Sequence, residues 1–441
     1  MNIHGEMGFL LLCSNSTFNY STMTNQIIRK APLICTCLLA TWLGSGCGSK
    51  TEKATPSGLK VQLSNSLDKD RKEIITMDLN TLDESVRSGI QIGNTEIEGH
   101  QIESLDSDKD NVADVLVIKS SLSPKENIEL DITGNWTEIK NDLKRTQAEL
   151  SIRTGGSWVE RKYEGGTEFV NVDRLRVPDA HTDHSYFIRY EGPGWENEMI
   201  GYRFYLDWRN AIDIFGKKVD TLVLQTVGQD GFDSYHEPAN WGMDILKAGK
   251  SLGIGSIGQL IDENVEHFQN TDSVICQVAN AGYICSAVET DYYGWATSAN
   301  QINLKSRLEI FTGDRAVRHT LTLSEPIENF CTGIVKNEKA QKIESIIGAN
   351  GWAYLATYGP QSLADDNLGL AILFNTKDVD RISDGEHDHL IVFKPATQVQ
   401  YYLLGAWEQE PNGIQNQEEF KQYLNSKIEK LNNPIEVALV N

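Results

Sequence analysis

The chain has 441 residues, 40% of them hydrophobic, and a formal net charge of −22. This length predicts two or three domains, and the hydrophobic share is that of a folded chain rather than a disordered one. The acidic charge excludes a typical nucleic-acid-binding protein, which carries a basic surface. An acidic ligand would therefore need a local cluster of arginines.

Residues 1–47 have the pattern of a bacterial export segment. Arg29 and Lys30 precede an apolar stretch that is too short for a comfortable membrane-spanning helix, and small residues follow it up to Cys47. The string "SGCGSK" resembles a lipoprotein cleavage site with Cys47 as the acylated residue, and an ordinary secretory signal is the alternative. Residues 48–58 are typical of a tether. We expect an exported protein, in the periplasm or outer membrane of a Gram-negative bacterium, that touches the membrane only through a lipid on Cys47.

Residues 59–160 alternate apolar and polar positions in short runs, which predicts a small β-sandwich. Within it the string "DSDKDNVAD" has the spacing of calcium-loop ligands, but it lacks the bidentate glutamate and the central glycine of an EF-hand loop. The carboxylates concerned are those of Asp106, Asp108, Asp110 and Asp114. A calcium site and a tight acidic hairpin turn both remain open.

Residues 161–441 contain longer and more aromatic alternating runs, which predict a large antiparallel β-sandwich. Helical spacing of apolar residues over 416–433 predicts one late amphipathic helix. The predicted fold class is therefore all-β, with a small N-terminal part, a large C-terminal part and a late helix. Cys276 and Cys285 could form a hairpin disulfide or remain buried free thiols.

The string "GYRFYLDWR" (201–209) predicts a strand with two different faces. One face is apolar, and the other carries Arg203, Tyr205, Asp207 and Arg209 at intervals of roughly 6.5–7 Å. This polar face is either a ladder of internal ion pairs or the wall of a binding site. Arg203 and Arg209 suit bidentate binding of a carboxylate in the second case.

Three stretches are dense in polar and aromatic residues, at 181–217, 228–249 and 289–300. Long loops of this composition are often functional, and aromatic rings in them suit stacking against sugars. His181 and His184 have the spacing of metal ligands, with surface or core histidines as the alternative. Tyr235 and His236 could supply a base or could hold their loop in place. The sequence predicts no GxSxG nucleophile elbow, no HExxH helix, no P-loop and no GxGxxG that follows a strand. The glycine-rich string "GKSLGIGS" (249–256) lacks the strand–helix context of such motifs and is predicted to be a loop.

The strings "FIRYEGPGWENEMIGYRFYLDWRNAIDIFGKK" and "GQDGFDSYHEPANWGMDILKAGKSLGIG" resemble a domain-of-unknown-function family of exported Bacteroidota proteins from polysaccharide-utilization loci. Together with the late "HLIVFKP" and "VQYYLLGAWEQE" strings, the resemblance covers most of residues 100–430. It implies a β-sandwich similar to the galactose-mutarotase supersandwich. It also implies dehydration of the non-reducing-end uronic acid of an acidic oligosaccharide, as in ulvan breakdown.

That chemistry assigns hypothetical roles to the residues above. Elimination needs a positive group that binds the uronate carboxylate, a base that takes the C5 proton and an acid that protonates the departing hydroxyl. We expect Arg203 and Arg209 to bind the carboxylate, His236 to be the base, and Tyr205 or Tyr235 to be the acid. The remaining predicted substrate-binding residues are Arg189, His184, Trp195, Asp207 and Tyr293. No cofactor is required. A polysaccharide lyase, a glycoside hydrolase and a non-catalytic glycan-binding lipoprotein are the alternatives.

Overall fold

The computed structural model describes residues 59–107, 109–132, 136, 144–232, 234–345 and 351–440. The chain divides into two units, Met1–Lys53 and Ala54–Asn441, and every described residue belongs to the second. The predicted export segment and tether lie outside the described residues, so both stay predictions. In the part of the chain that is described, no helix combines the length and the apolar character needed to cross a membrane.

The described residues form mostly strands. In chain order these are β1 (Lys60–Ser64), β2 (Arg71–Asp78), β3 (Gly93–Ile97), β4 (His100–Leu105), β5 (Val115–Leu122), β6 (Asn127–Asp131), β7 (Thr146–Glu149), β8 (Ser151–Val159), β9 (Lys162–Asn171), β10 (Arg174–Arg176), β11 (Gly194–Asn197), β12 (Ile200–Phe204), β13 (Ile212–Lys217), β14 (Gly242–Asp244), β15 (Ile254–Ile261), β16 (Asn264–Glu266), β17 (Ser273–Ala281), β18 (Cys285–Ala296), β19 (Gln301–Phe311), β20 (Val317–Leu323), β21 (Phe330–Val335), β22 (Gln341–Glu344), β23 (Trp352–Gly359), β24 (Leu368–Asn375), β25 (Val379–Asp384), β26 (Asp388–Phe393), β27 (Gln398–Trp407) and β28 (Glu436–Val440). The α-helices are α1 (Glu84–Arg87) and α2 (Gln417–Asn432).

The small N-terminal part consists of two sheets around one core. Strands β2, β5, β4 and β3 form a four-stranded antiparallel sheet, and β1 pairs with β6 and with the C-terminal β28. Alternate residues of these strands, such as Val61 and Leu63 of β1, are fully buried. The predicted boundary at residue 160 falls in the turn between β8 and β9, while β7, upstream of it, pairs with β11 of the large part.

The large part is built on a nine-stranded antiparallel sheet in the order β10-β17-β18-β19-β20-β27-β24-β23-β22. One face of the nine-stranded sheet shares a hydrophobic core with two five-stranded sheets. Their strand orders are β14-β13-β12-β11-β7 and β16-β15-β21-β26-β25. Strand β24 shows why the sheet has two buried faces. Its Leu370 and Ile372 belong to the core shared with the five-stranded sheets, whereas Ala371 and Leu373 belong to the core beneath α2.

Helix α2 begins and ends within one residue of the prediction. The side chain of Asn416 accepts a hydrogen bond from the amide of Glu419 (2.9 Å) and so caps its first turn. Phe420 and Leu424, one turn apart, are fully buried against the nine-stranded sheet. The predicted fold class is confirmed: an all-β antiparallel sandwich with a small N-terminal β part and a late helix. Cys276, Cys285 and Cys331 are buried free thiols.

Candidate functional site: an arginine–carboxylate network beneath an exposed histidine

The predicted strand over 201–209 ends at Phe204, so the expectation of one strand to Arg209 was wrong. Residues 205–211 instead form the connection to β13, closed by a hydrogen bond from the amide of Tyr205 to the carbonyl of Ala211 (3.0 Å). The carboxylate of Asp207 accepts the amide of Arg209 (2.9 Å), a local bond that favours a turn over a strand. The four polar residues are therefore held by a strand and a turn rather than at even intervals along one strand face.

Arg203, on β12, is the centre of a buried network. Its Nη2 donates to Asp213 Oδ2 at 2.9 Å and to Asp244 Oδ2 at 2.5 Å, and its Nη1 donates to the hydroxyl of Tyr235 at 2.9 Å. Asp213 lies opposite Arg203 on β13, and Asp244 ends the neighbouring strand β14. All four side chains are buried, so this guanidinium binds protein carboxylates.

Tyr205 lies between two guanidiniums. The Cζ atoms of Arg209 and Arg203 lie 3.8 Å and 4.7 Å from its ring centroid, within cation–π range. Its hydroxyl donates to Asp213 Oδ2 at 2.6 Å. Burial and the neighbouring Asp244 raise the pKa of Asp213 to about 6, against the opposing effect of Arg203. Tyr205 is therefore part of the network that holds the buried carboxylates.

Arg209 is surrounded by three carboxylates. It forms a bidentate pair with Asp207, and its Nη2 lies 2.9 Å from Glu191 Oε2 and 3.2 Å from Asp183 Oδ1. The Arg209 side chain keeps 12% of its surface exposed, against 3% for Arg203. Of the two accounts of the polar face, the ladder of ion pairs matches these contacts.

His236 is the accessible member of the network. Its side chain is 44% exposed, and its Nε2 lies 3.3 Å from Asp244 Oδ2, the oxygen that also binds Arg203. The hydrogen bond to Asp244 raises the pKa of His236, and partial burial opposes this. A solvent-facing imidazole oriented by a buried carboxylate can exchange protons with a ligand.

The loop that carries His236 is anchored by Tyr235. The Tyr235 side chain is buried and meets Phe215 edge to face at 5.6 Å between ring centroids. Gly228, at φ 68°, lies against the rings of Tyr190 and Tyr235. A Cβ at this position would lie only 3.3 Å from ring atoms of both tyrosines, so glycine lets the loop approach them closely. Burial raises the pKa of the Tyr235 hydroxyl well above its usual value. This hydroxyl accepts the Arg203 hydrogen bond inside the buried network, and the Tyr235 ring lies 4.6 Å from that of His236 between centroids.

An aromatic edge continues the surface away from His236. Phe232 packs on the rings of His184 and Tyr186, with centroids 5.2 Å and 5.0 Å apart. His184, Tyr186, Tyr190 and Glu191 all have positive φ, which is uncommon outside glycine and concentrates at functional sites. The backbone of residues 184–191 is therefore held in a strained path that brings this edge against the loop of Phe232.

Within the described part of the chain, Asp183, His184 and Glu191 form a group that could hold a metal ion. Their ligand atoms lie within 4.8 Å of one another, a mixed nitrogen and oxygen set. The Arg209 guanidinium already lies between the two carboxylates. His181, the other predicted metal ligand, is buried, and its Nδ1 is 2.8 Å from the hydroxyl of Ser185.

Three predicted substrate-binding residues lie outside this site. Arg189 is buried, pairs with Glu149 and donates to three backbone carbonyls, including that of Leu224 at 3.2 Å. Trp195 has no exposed surface and stacks on Tyr202 at 5.8 Å. Tyr293 is 40% exposed, but no described contact joins it to Arg203 or His236. It lies on β18, which also includes most of the predicted loop 289–300.

The acidic hairpin near the N-terminus uses its carboxylates for its own backbone. Asp106 accepts the amides of Asp110 (3.2 Å) and Asn111 (2.8 Å). Asp114 accepts the amide of Ser107 (2.8 Å) and pairs with Arg87 (3.2 Å). Asp108 lies outside the described residues. Calcium binding there stays a prediction.

The residues that sequence reasoning missed are Asp213, Asp244 and Asp183. Asp213 stands in "AIDIFGK" and Asp244 in "GMDIL", each inside an otherwise apolar run. A carboxylate on the buried side of a strand requires a partner, because an isolated buried charge is costly. That requirement is the signal that could have linked Asp213 and Asp244 to Arg203.

The fold and site define a class of protein: a two-part antiparallel β-sandwich with an arginine–carboxylate network beneath one exposed histidine. Residues 63–437 match the family described as "Domain of unknown function (DUF4861)". The chain belongs to that family. The family part of the resemblance is thereby confirmed.

None of the curated proteins compared with the chain matches it. Two solved structures from Enterococcus faecalis resemble it weakly. A protein in glycosyl hydrolase family 38 has a TM-score of 0.37 and 9% identity over 87% of this chain and 47% of its own. An alpha-mannosidase from strain V583 has a TM-score of 0.38 and 9% identity over 87% of this chain and 46% of its own. The chain thus spans about half the length of these proteins.

Proposed function

We propose that the chain is a carbohydrate-active lyase that removes water from the terminal uronic acid of an acidic oligosaccharide. The observation that carries the proposal is the accessible His236 imidazole, oriented by buried Asp244, which Arg203 holds in turn. A general base needs this combination of access, orientation and a nearby charge that adjusts its pKa. The family resemblance implies the substrate and the reaction.

In this reaction His236 takes the proton from C5 of the uronate ring. The electron pair of the C5–H bond forms the C4=C5 double bond, the C4–O bond breaks, and the departing hydroxyl takes up a proton to leave as water. The negative charge that develops beside C5 is shared with the substrate carboxylate, so a nearby positive group lowers the barrier. The hydrogen removed from C5 and the hydroxyl removed from C4 make up the one water released. The protonated His236 imidazole, or solvent water, returns the proton to the leaving oxygen, and the base is regenerated.

The contacts change the roles expected for the other residues. Arg203, Tyr205 and Tyr235 are buried, so we assign them to positioning Asp244 and the His236 loop rather than to touching the substrate. Arg209 is already paired with three protein carboxylates, so it also has a positioning role, and the exposed ring of His184 is the group left to face the substrate carboxylate. Trp208, whose side chain is 42% exposed beside Arg209 in sequence, is available for stacking on a sugar.

The test is mass spectrometry of uronate-terminated oligosaccharides after incubation with the purified protein. Loss of one water without shortening, with new ultraviolet absorbance, is the expected result. The variant His236→Ala should lower this rate by about 10²–10⁴-fold, the usual contribution of a general base. His387→Ala, which removes another partly exposed histidine, is the matched control and should keep the rate.

Other products would replace the proposal with a named alternative. Shorter fragments that have gained water would identify a glycoside hydrolase, and shorter unsaturated fragments would identify a chain-cleaving polysaccharide lyase. Full activity in folded His236→Ala would show that the assigned base is wrong. No product from any acidic oligosaccharide would contradict the enzyme and favour a glycan-binding lipoprotein.

A further inference from the structure

A cavity of about 730 Å³ lies in a different part of the fold from His236. It is lined by strands β2 and β5 of the small N-terminal part, by the nine-stranded sheet and by helix α2. Its size falls within the range of small-molecule sites, roughly 300–1,000 Å³. No residue of the arginine–carboxylate network lines it.

The floor of this cavity is a polar and aromatic row across the nine-stranded sheet. Arg318 of β20 lies directly opposite Tyr402 of β27, which in turn lies opposite Leu373 of β24. Such cross-strand neighbours have Cβ atoms about 4.5–5.5 Å apart on the same face. Trp352 of β23 lies two residues from Tyr354, the residue opposite Leu373, and its ring centroid is 5.4 Å from that of Tyr402. The floor therefore offers two neighbouring, partly buried aromatic rings, tilted by 57° to each other.

The walls are positively charged in a chain that is strongly acidic. Six cationic side chains line the cavity against two carboxylates, those of Glu73 and Asp314. The cations are Lys72, Lys119, Arg315, Arg318, Lys427 and Lys430. This local excess is opposite in sign to the net charge of −22. Charge of one sign in a concave site concentrates ligands of the other sign.

Four of the six cations already pair with protein carboxylates. Arg315 pairs with Glu410 at 2.7 Å and Arg318 with Glu309 at 2.8 Å. Lys427 pairs with Asp314, and the Lys430 Nζ lies 3.7 Å from Glu73 Oε1.

Lys72 and Lys119 are different from the other four. Both are exposed, and among the described residues neither makes an ion pair or a side-chain hydrogen bond. Lys119 of β5 lies opposite Ile74 of β2, two residues from Lys72, so the two lysines are diagonal neighbours on one face. Diagonal Cα atoms are about 7–8 Å apart, a spacing that one anionic group can bridge. These two ammonium groups are the unpaired charge of the cavity.

We propose that this cavity is a second binding site, for an acidic saccharide whose carboxylate or sulfate lies between Lys72 and Lys119. Its sugar ring stacks on Trp352, beside the tilted ring of Tyr402. Aromatic rings recognise the apolar faces of sugars, and lysine binds anionic groups as a point charge. The site goes beyond the proposed catalytic function and does not depend on it.

The experiment is calorimetric titration of the full chain with trigalacturonate and with a sulfated carrageenan disaccharide. The neutral control ligand is galactotriose. We expect at least one acidic probe to bind, with an affinity that falls as salt is added, and the neutral probe to bind much more weakly. Binding of the uronate alone or of the sulfated sugar alone identifies which anion the site takes. No binding of either acidic probe, or equal binding of the neutral one, would overturn the proposal.

Variants locate the binding. Replacing both lysines, Lys72→Glu with Lys119→Glu, should weaken it about tenfold or more, because two charge-assisted contacts become repulsive. Lys162→Glu, at an exposed lysine of β9, is the matched control and should leave the affinity unchanged. Circular dichroism of each variant checks that it is folded.

The variant His236→Ala separates this proposal from the catalytic one. It should bind the acidic probes with wild-type affinity even if it loses all activity. If His236→Ala abolishes binding while the lysine variant binds normally, the ligand occupies the His236 site and the cavity proposal is wrong.

Discussion

The arginine–carboxylate network and the basic cavity both contain several cations, but they differ in how many carboxylates accompany them. Each arginine of the network has two or more carboxylates within ion-pair distance. The cavity keeps two lysines without such a partner among the described residues. An arginine on a strand therefore predicts an anion site only after the nearby carboxylates have been counted.

Burial explains the difference. Arg203, with 3% of its side chain exposed, cannot remain charged without buried partners. Lys72 and Lys119 are exposed, so water solvates them and the fold does not need to neutralise them. Charges that the fold must neutralise support its structure, and charges that it leaves solvated remain available to a ligand.

The largest expected effect comes from removing the centre of the network. Arg203→Ala leaves Asp213 and Asp244 buried without their guanidinium, and breaking a buried pair costs about 3–5 kcal/mol of unfolding free energy. Urea denaturation measures this loss. Arg381→Ala, at an exposed arginine on β25, is the control and should lie within about 0.5 kcal/mol of wild type. A folded Arg203→Ala chain of near wild-type stability would contradict the structural role.

A smaller loss is expected when one hydroxyl of the network is removed. Tyr205→Phe deletes the donor to Asp213, and a hydrogen bond to a charged group contributes about 1.5–3 kcal/mol. Tyr163→Phe deletes a hydroxyl that donates to a backbone carbonyl on the β8–β9 hairpin and should cost less. If Tyr205→Phe instead abolishes catalysis at unchanged stability, Tyr205 is the acid that the sequence reasoning expected.

Local pattern was enough to predict the architecture. Period-two alternation located the long strands of the nine-stranded sheet, such as β18, β19, β24 and β27, and the spacing of Phe420 and Leu424 located α2 to within a residue. These features depend on neighbours in sequence, where burial of one face selects the period. The β19–β20 hairpin around its "TGDR" turn was predictable for the same reason.

Partners distant in sequence were not predictable. Arg203 and Asp244 are 41 positions apart in sequence. The pairing of β12 with β13, and of β13 with β14, brings their side chains into contact. The turn at Asp207 was missed because alternation in "GYRFYLDWR" outweighed the tendency of aspartate to bond its own backbone. The sequence around Trp195 predicts a sugar-stacking residue, but the sheet buries this side chain completely.

The exposed member of the network should make stability depend on pH. The pKa of His236 is raised in the fold, so its contribution to unfolding free energy is full below about pH 6.5 and is lost as the pH rises through the elevated pKa. The effect should stay below about 1 kcal/mol because solvent screens a half-exposed pair.

The difference in unfolding free energy between wild type and His236→Asn should be measured from about pH 5 to about pH 9. This range spans the titration of an imidazole. An NMR titration of the imidazole should give a midpoint above that of a free histidine, and Asp244→Asn should lower it. A difference that grows with rising pH would contradict the pairing with Asp244.

The smallest effect is expected in the cavity, and it completes the comparison. Lys119→Ala removes a charge that the fold does not pair, so the unfolding free energy should change by no more than about 0.5 kcal/mol. Any change in the unfolding free energy should be a small rise, because the substitution removes the repulsion between Lys119 and Lys72. Urea denaturation of Lys119→Ala and of Arg203→Ala, measured side by side, should give the smallest and the largest changes in unfolding free energy among these variants. A large loss in Lys119→Ala would mean that this lysine supports the fold, and the cavity would then lack the solvated charge that its binding role requires.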